Sequence, residues 1–384
     1  MDLKMTNAGD YMKEPDNIID ALTEYGLIGL KEKFGIKNSQ NELYPNLYVL
    51  NYDQIDSSKF KDHPIVKECR SLVVEYGTQS GKDWCIVSRS FDRFFNYGEC
   101  DNDEYVDINE LTAYEKIDGS LVSVFFYNGE WLYRTKSMIM PADEMQMNSG
   151  RSWNELIEST IDINKNNWFT NYTYIFEICS RDNRVVTRYD DDRSYILAIR
   201  QNTSGWYLNH DELGKVAHSS RSILPKRYAF KTMQDCLISS KELPNLEEGY
   251  VMYNKFNIPV MKIKSPAYVA AHRLRGESVL TPKRILEMMR IGEVDEYLAI
   301  FPEDTEAFDE VEWKFTTMVN ELYELWYDKF MNIEDQKEYA LEVMKDCKQY
   351  QGMMFRKRKD NEMSFIAILD NLPINKLVEL LGYK

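Results

Sequence analysis

The chain has 384 residues, a formal net charge of −16, 43% hydrophobic residues and 29% charged residues. That length points to two domains, with enough apolar material for packed cores and enough charge for a soluble protein. The acidic balance argues against a protein that coats phosphate backbones indiscriminately, because such proteins carry a basic surplus, but it leaves room for a local basic cleft.

Residues 1–15 show no periodicity and are expected to be poorly ordered. Residues 16–34 read as an amphipathic helix capped by Asp16, with Ile18, Ile19, Leu22, Leu27 and Leu30 near one face. From about residue 69 to residue 265 the pattern is strand-like. Runs rich in β-formers fall at 70–75, 84–89, 120–127, 131–136, 172–178, 194–199, 249–253 and 259–264. Asn128-Gly129 is a strong hairpin turn, and 144–161 reads as a helix between strands. Beyond about residue 266 glycine and strand signals fade. Helices are expected at 282–289, 305–331, 335–356 and 373–381. The expected domains are therefore 1–271 and 272–384, the second all-α.

Six cysteines (Cys69, Cys85, Cys100, Cys179, Cys236, Cys347) are scattered without a Cys-x-x-Cys pair, which fits reduced thiols in a cytosol and gives no zinc signature. The four histidines form no metalloprotease pattern. No apolar run is long enough to span a bilayer and no signal-peptide pattern opens the chain, so no membrane role is expected. Basic residues cluster at 221–227, 262–275 and 356–359, and each cluster alone reads as a solvated face.

The chemistry-bearing pattern is Lys116-Ile117-Asp118-Gly119-Ser120, followed by Phe176-Glu177, Glu248-Gly249-Tyr250-Val251 and Lys262-Ile263-Lys264. A lone Lys-x-Asp-Gly is weak, and each carboxylate taken singly reads as a salt-bridged residue. The ordered set suggests covalent nucleotidyl transfer to a lysine amine. At about pH 7.5 roughly one ordinary lysine in a thousand is neutral, a cost of about 4 kcal/mol. Lys262, Lys264 and Arg70 could lower that cost if the fold brings them close, and the same cations would stabilise an α-phosphate under attack. Residues two apart on a strand share a face, so Lys262 and Lys264 can grip one phosphate. Asp118 and Gly119 fit a tight turn, with Gly119 allowing close ligand approach. Glu177 and Glu248 border apolar strands and need partners such as a divalent metal or a ribose hydroxyl.

The set resembles the covalent nucleotidyltransferases (DNA ligases, RNA ligases and mRNA-capping guanylyltransferases), and most closely the bacteriophage RNA ligase 1 family typified by phage T4. The resemblance runs from about residue 68 to residue 265 and also takes in Glu68-Cys69-Arg70, Ser88-Arg89, Phe94-Phe95-Asn96 and Asn183-Arg184-Val185-Val186. It implies an α+β fold in which an ATP-grasp-like nucleotidyltransferase domain of antiparallel sheets with flanking helices precedes an all-α C-terminal domain. It implies an ATP-dependent RNA ligase using Mg2+ or Mn2+, with Lys116 as the AMP acceptor and Lys262 and Lys264 on the α-phosphate. Arg70, Arg93 and Lys136 would hold ATP phosphates, and Glu115 and Val251 would lie at the nucleotide, Val251 near adenine. Glu177 would serve ribose or metal, and Glu248 the metal. Arg93 stands where the family pattern has lysine, which changes the geometry, and Ile117 stands where the phage T4 relative has an acidic residue. The implied partners are single-stranded RNA or nicked tRNA, with single-stranded DNA a further candidate, acted on by a monomer in a host cytosol during phage infection. A DNA ligase, a guanylyltransferase and a non-catalytic RNA-binding protein remain as alternatives. The helical C-terminal region favours the RNA ligase, because the first two resemble each other in carrying a β-rich domain there.

Overall fold

The computed structural model describes residues 15–77, 83–99, 107–139, 150–163, 168–244, 246–276 and 280–383. The chain divides into two compact units at Val269/Ala270. In the first, α1 (Ile18–Phe34) is capped by Asn17 and not by Asp16, because the Asn17 carboxamide oxygen accepts from the Ile19 and Asp20 N–H groups, both at 3.0 Å. Gly35, with φ 67°, ends the helix in the left-handed conformation. Strands β1 (Ile36–Asn41), β2 (Tyr44–Tyr52), β3 (Arg70–Tyr76) and β4 (Trp84–Ser88) form an antiparallel sheet in that order, with α2 (Pro64–Glu68) between β2 and β3 in the chain. Ile18, Leu22, Leu30, Ile65 and Leu72 bury α1 and α2 against it. The sequence pattern begins only at β3. Most of β1 is an exposed polar edge that offers no apolar alternation.

Next come β5 (Phe95–Asn96) and β6 (Leu111–Lys116), members of a sheet completed later. Strands β7 (Ser120–Tyr127), β8 (Glu130–Arg134), β9 (Tyr172–Cys179) and β10 (Arg193–Gln201) make an antiparallel sheet of order β10-β9-β7-β8. Asn128 (φ 50°) and Gly129 (φ 93°) form the two-residue turn expected between β7 and β8. The expected helix at 144–161 is α3 (Trp153–Thr160), opened by a Ser152/Glu155 capping box, and 144–149 lies outside the described residues, as does 1–14. After α4 (His210–Ser219), β11 (Arg227–Tyr228) and α5 (Met233–Lys241), the strands β12 (Gly249–Asn254) and β13 (Pro259–Lys264) complete a sheet of order β11-β6-β12-β13-β5. One face of that sheet buries Ala113, Tyr250, Met252, Met261 and Ile263 against Cys236 of α5. Alternation therefore turns the intervening side chains to the other face.

The helix α6 (Pro266–Arg275) spans the division, and the second unit is helical throughout its described residues: α7 (Pro282–Ile291), α8 (Val294–Ile300), α9 (Thr305–Leu325), α10 (Gln336–Asp346), α11 (Gln351–Lys359), α12 (Phe365–Asp370) and α13 (Ile374–Leu380). The single helix expected over 335–356 is broken. Cys347 leaves the helical backbone (φ −148°), and Cys347 and Tyr350 are buried at the break. The basic run at 356–359 is not simply a solvated face. Lys357 is buried and donates to the Asn361 and Met363 carbonyls, while Arg358 donates to those of Ile333 and Glu334. No helix among the described residues is long and apolar enough to cross a membrane. The fold class is α+β, as expected.

Candidate active site

The free face of the β6-β12-β13 sheet carries the motif lysines. Gly249 is the register partner of Lys116 on one side and of Lys264 on the other, so the three form one row across the sheet. Two residues along, Tyr114, Val251 and Lys262 form the next row on the same face. Gly249 separates the two lysines without a side chain. A Cβ there would lie 2.0 Å from the Ile263 carbonyl oxygen, and its φ is +137°. Gly249→Ala is therefore expected to destabilise the protein by at least about 1–3 kcal/mol. Chemical denaturation checks this, and an unshifted midpoint would contradict it.

Glu248, just before the row, is buried and joins the lysines. Its Oε2 accepts from Lys116 Nζ at 2.6 Å and its Oε1 lies 2.7 Å from Lys264 Nζ. Burial works to raise the Glu248 pKa, but Lys116 and Lys264 outweigh it and hold the carboxyl below its usual range. Burial alone would loosen the Lys116 proton. The carboxylates of Glu248, Glu177 and Asp118 reverse this and raise its pKa above the ordinary lysine value. The expectation that neighbouring cations would make Lys116 the readily deprotonated amine is thus not met by the protein's own groups. That amine is Lys262, pushed down to about 8 by burial, Lys116, Lys264 and Arg70.

The turn after Lys116 is a latch. Asp118 is buried and accepts from the Val186 N–H at 2.8 Å, the Thr187 N–H at 2.6 Å and the Tyr268 hydroxyl at 2.7 Å. These bonds tie the 183–187 segment and the start of α6 to the lysine turn. Ser120 Oγ adds a bond to Asn183 Oδ1 at 3.2 Å. Gly119 allows close approach within the protein itself. A Cβ would meet the Ile178 carbonyl at 2.5 Å and Glu177 Cγ at 3.1 Å. Glu177 is thereby drawn under the lysine turn, where burial is the main cause raising its pKa to about 8. Folded protein without metal then holds this proton up to about pH 8, and unfolded protein only to about pH 4.5. Between those values the unfolded state binds fewer protons, so this group erodes stability as the pH rises. Glu177→Gln is expected to remove that decline, with the variant gaining in melting temperature over the wild type between pH 4.5 and 8. Parallel pH profiles would contradict it.

A cleft over this face gathers Arg70, Lys116, Lys262 and Lys264 with Glu177, and its other walls include Leu197, Leu208, Leu213 and Val251. Cations and an apolar wall in one concavity suit a ligand with an anionic part and a flat apolar part. Arg70 lies over the Phe91 and Phe94 rings at 6.0 and 5.7 Å, and its Nη1 is buried with no hydrogen-bond partner among the described residues, a donor suited to a phosphate oxygen. Glu115 also lines the cleft, with its carboxylate accepting from the Lys226 N–H at 3.3 Å.

Two expected residues stand apart from the cleft lining. Arg93 lies over the Tyr52 ring at 4.3 Å and the Phe95 ring at 5.1 Å. Lys136 does not sit in a strand beside the motif strand. The strand β8 ends at Arg134, and the Thr135 N–H bonded to the Met138 carbonyl at 3.0 Å turns the chain back, leaving Lys136 exposed. Residues not singled out from sequence also line the cleft. Tyr114 hydrogen-bonds His210 Nδ1 at 3.3 Å, and Tyr207 stacks on Phe91. Neither stands out in the chain, because a lone tyrosine or histidine carries no motif. Among the described residues no three His, Cys, Asp or Glu side chains form a metal cage. Glu177 and Glu248 instead fit a hard cation that takes one or two carboxylates and completes its shell with substrate phosphate and water.

A family model described as RNA ligase matches residues 68–268. A protein of Autographa californica nuclear polyhedrosis virus, whose name pairs a polynucleotide kinase with an RNA ligase, is 34% identical over 301 residues, covering 73% of this chain and 41% of that one. The chain thus matches about two fifths of that relative's length. An RNA ligase of Rhodothermus phage RM378 is 22% identical over 329 residues, covering 70% of this chain and 73% of its own. Among solved structures, an archaeal ATP-dependent RNA ligase aligns with a TM-score of 0.46 at 14% identity, over 85% of this chain and 88% of that one. With the model matched over more than half of its length, from the Glu68 motif to Tyr268, this chain belongs to the RNA ligase family of the phage T4 RNA ligase 1 type.

Proposed function

We propose that the chain is an ATP-dependent RNA ligase acting through Lys116. The observation that carries this reading is the row Lys116–Gly249–Lys264 with Glu248 clamped between its two amines. Lys116 Nζ attacks the α-phosphate of ATP, forming a phosphoramide as the bond to pyrophosphate breaks. A 5′-phosphate oxygen of RNA then takes the AMP and frees the lysine. A 3′-hydroxyl attacks that 5′-phosphate and AMP leaves, closing the phosphodiester. Lys262, Lys264 and Arg70 hold and neutralise the phosphates, Val251 packs by the base, and Glu177 and Glu248 would hold Mg2+ or Mn2+. When bound, that cation supplies the positive charge that makes the Lys116 ammonium less favourable and screens the phosphates. Phosphate arriving at Lys262 stabilises its charge, and Glu248 is left to receive the hydrogen bonds of Lys264 as Lys116 engages ATP.

The substrate class is single-stranded RNA or a nicked tRNA, with the helical unit from Ala270 onward as the module that recognises it in a host cytosol. Incubating the protein with ATP, Mg2+ and a single-stranded RNA bearing 5′-phosphate and 3′-hydroxyl ends should yield joined or circular product. Chelation of the metal should stop it, and GTP should not replace ATP. Preference for nicked duplex DNA, or for GTP, would move the assignment to a DNA ligase or a guanylyltransferase.

A further inference from the structure

Next to the cleft, and sharing Tyr207 and Asn257 with it, lies a second groove built by two turns. In one, the Gly205 N–H donates to the Gln201 carbonyl and the Gln201 N–H to the Trp206 carbonyl, both at 2.9 Å. In the other, the Asn254 N–H donates to the Ile258 carbonyl and the Asn257 N–H to the Asn254 carbonyl, both at 3.0 Å. Asn257 Nδ2 donates to the Leu208 carbonyl at 3.0 Å and pins one turn to the segment that follows the other. On this scaffold two rings stand in water, Trp206 at 79% exposure and Phe256 at 64%. Lys255 Nζ lies 5.6 Å from the Phe256 ring centre. Among the described residues no carboxylate lines the groove, in a chain whose net charge is −16. The shared Tyr207 links the groove's wall to the cationic part of the cleft: its ring stacks on Phe91 at 6.1 Å, and Phe91 carries Arg70 over its face.

Exposed aromatic faces beside a lysine, without an acid, match unpaired nucleic acid, whose bases stack on rings while its phosphates meet cations. Resting on the ligase reading, we propose that this groove holds unpaired bases of the RNA strand being joined, stacked on Trp206 and Phe256, with Lys255 meeting the backbone and the strand end leading past Tyr207 toward the Arg70 side of the cleft. Every base has a flat face, so the site accepts many sequences.

The test measures binding of a short fluorescent single-stranded RNA, without ATP or metal, to the wild type, Trp206→Ala, Phe256→Ala, the double variant and Trp206→Phe. An abasic oligomer of equal length serves as the second probe. Each alanine variant is expected to weaken RNA binding by roughly fivefold to a hundredfold, and Trp206→Phe to retain most of it. The abasic oligomer should bind all variants alike, and AMP uptake from ATP should be unchanged. RNA affinity of the double variant within about twofold of wild type, or an equal loss for the abasic oligomer, would overturn the proposal. So would a loss of AMP uptake or of melting temperature in step with RNA binding, which marks a structural role, and so would wild-type capture of an apolar peptide in preference to RNA. A wild type that binds RNA as expected yet takes no AMP sinks the ligase reading and leaves the groove standing.

Discussion

Lys116→Ala and Lys116→Arg are each expected to reduce AMP uptake from ATP to background while leaving the fold intact. Arginine keeps the positive charge, but with a pKa above about 12 its guanidinium cannot become the neutral nucleophile the reaction needs. The structure also separates chemistry from stability at this position. Glu248 keeps Lys264 as a partner when the Lys116 amine is lost. The melting temperature should therefore fall little while labelled AMP incorporation disappears. Residual incorporation in Lys116→Ala near the wild-type rate would show that another amine is the acceptor.

Glu248→Ala should have the largest effect on stability of any site substitution. It leaves two ammonium groups, Lys116 and Lys264, crowded by Lys262 and Arg70 and without the carboxylate that separates them. Breaking a buried ion pair from one side costs about 3–5 kcal/mol, because the remaining charge stays desolvated. The sign with pH follows from the lowered folded-state pKa of Glu248. The stabilisation it gives is present above its unfolded value of 4.5 and is lost as the pH falls through the folded value. Denaturation of wild type and variant should therefore differ most near neutrality and converge in acid. A difference under about 1 kcal/mol at neutral pH would mean that Glu248 is not the clamp.

Much of this was legible in the chain, and the gaps have physical causes. The strands β3, β4, β7, β8, β9, β10, β12 and β13 announce themselves by β-branched and aromatic runs, whereas the two-residue β11 does not, and Asn128-Gly129 sets its hairpin by positive φ at both residues. The motif residues Lys116, Glu248, Lys262 and Lys264 were legible as types in order. The placing of Lys116 in one row with Gly249 and Lys264 was not, since it depends on β6 pairing with β12, more than a hundred residues away in the chain. The same non-locality explains the Lys116 proton. The motif order offers Arg70, Lys262 and Lys264 as cations for Lys116, but the carboxylates of Glu248, Glu177 and Asp118 decide the sign, and only the fold brings them there. Lys136 was misplaced because a backbone turn, Thr135 to Met138, ends β8 where the side-chain pattern would let it run on. The N-cap moved by one residue for a similar local reason: Asn17 reaches the first free N–H groups.

Locating the AMP is the most direct trial of the account. Lys116 and Lys262 sit on one face of one sheet, and Lys262 holds its proton the less tightly. The protein would be incubated with ATP and Mg2+, digested under conditions that preserve phosphoramides, and mapped by mass spectrometry. The expected result is one AMP on the peptide containing Lys116 and none elsewhere. An adduct on the peptide containing Lys262, or an unmodified protein that nonetheless joins RNA, would contradict it.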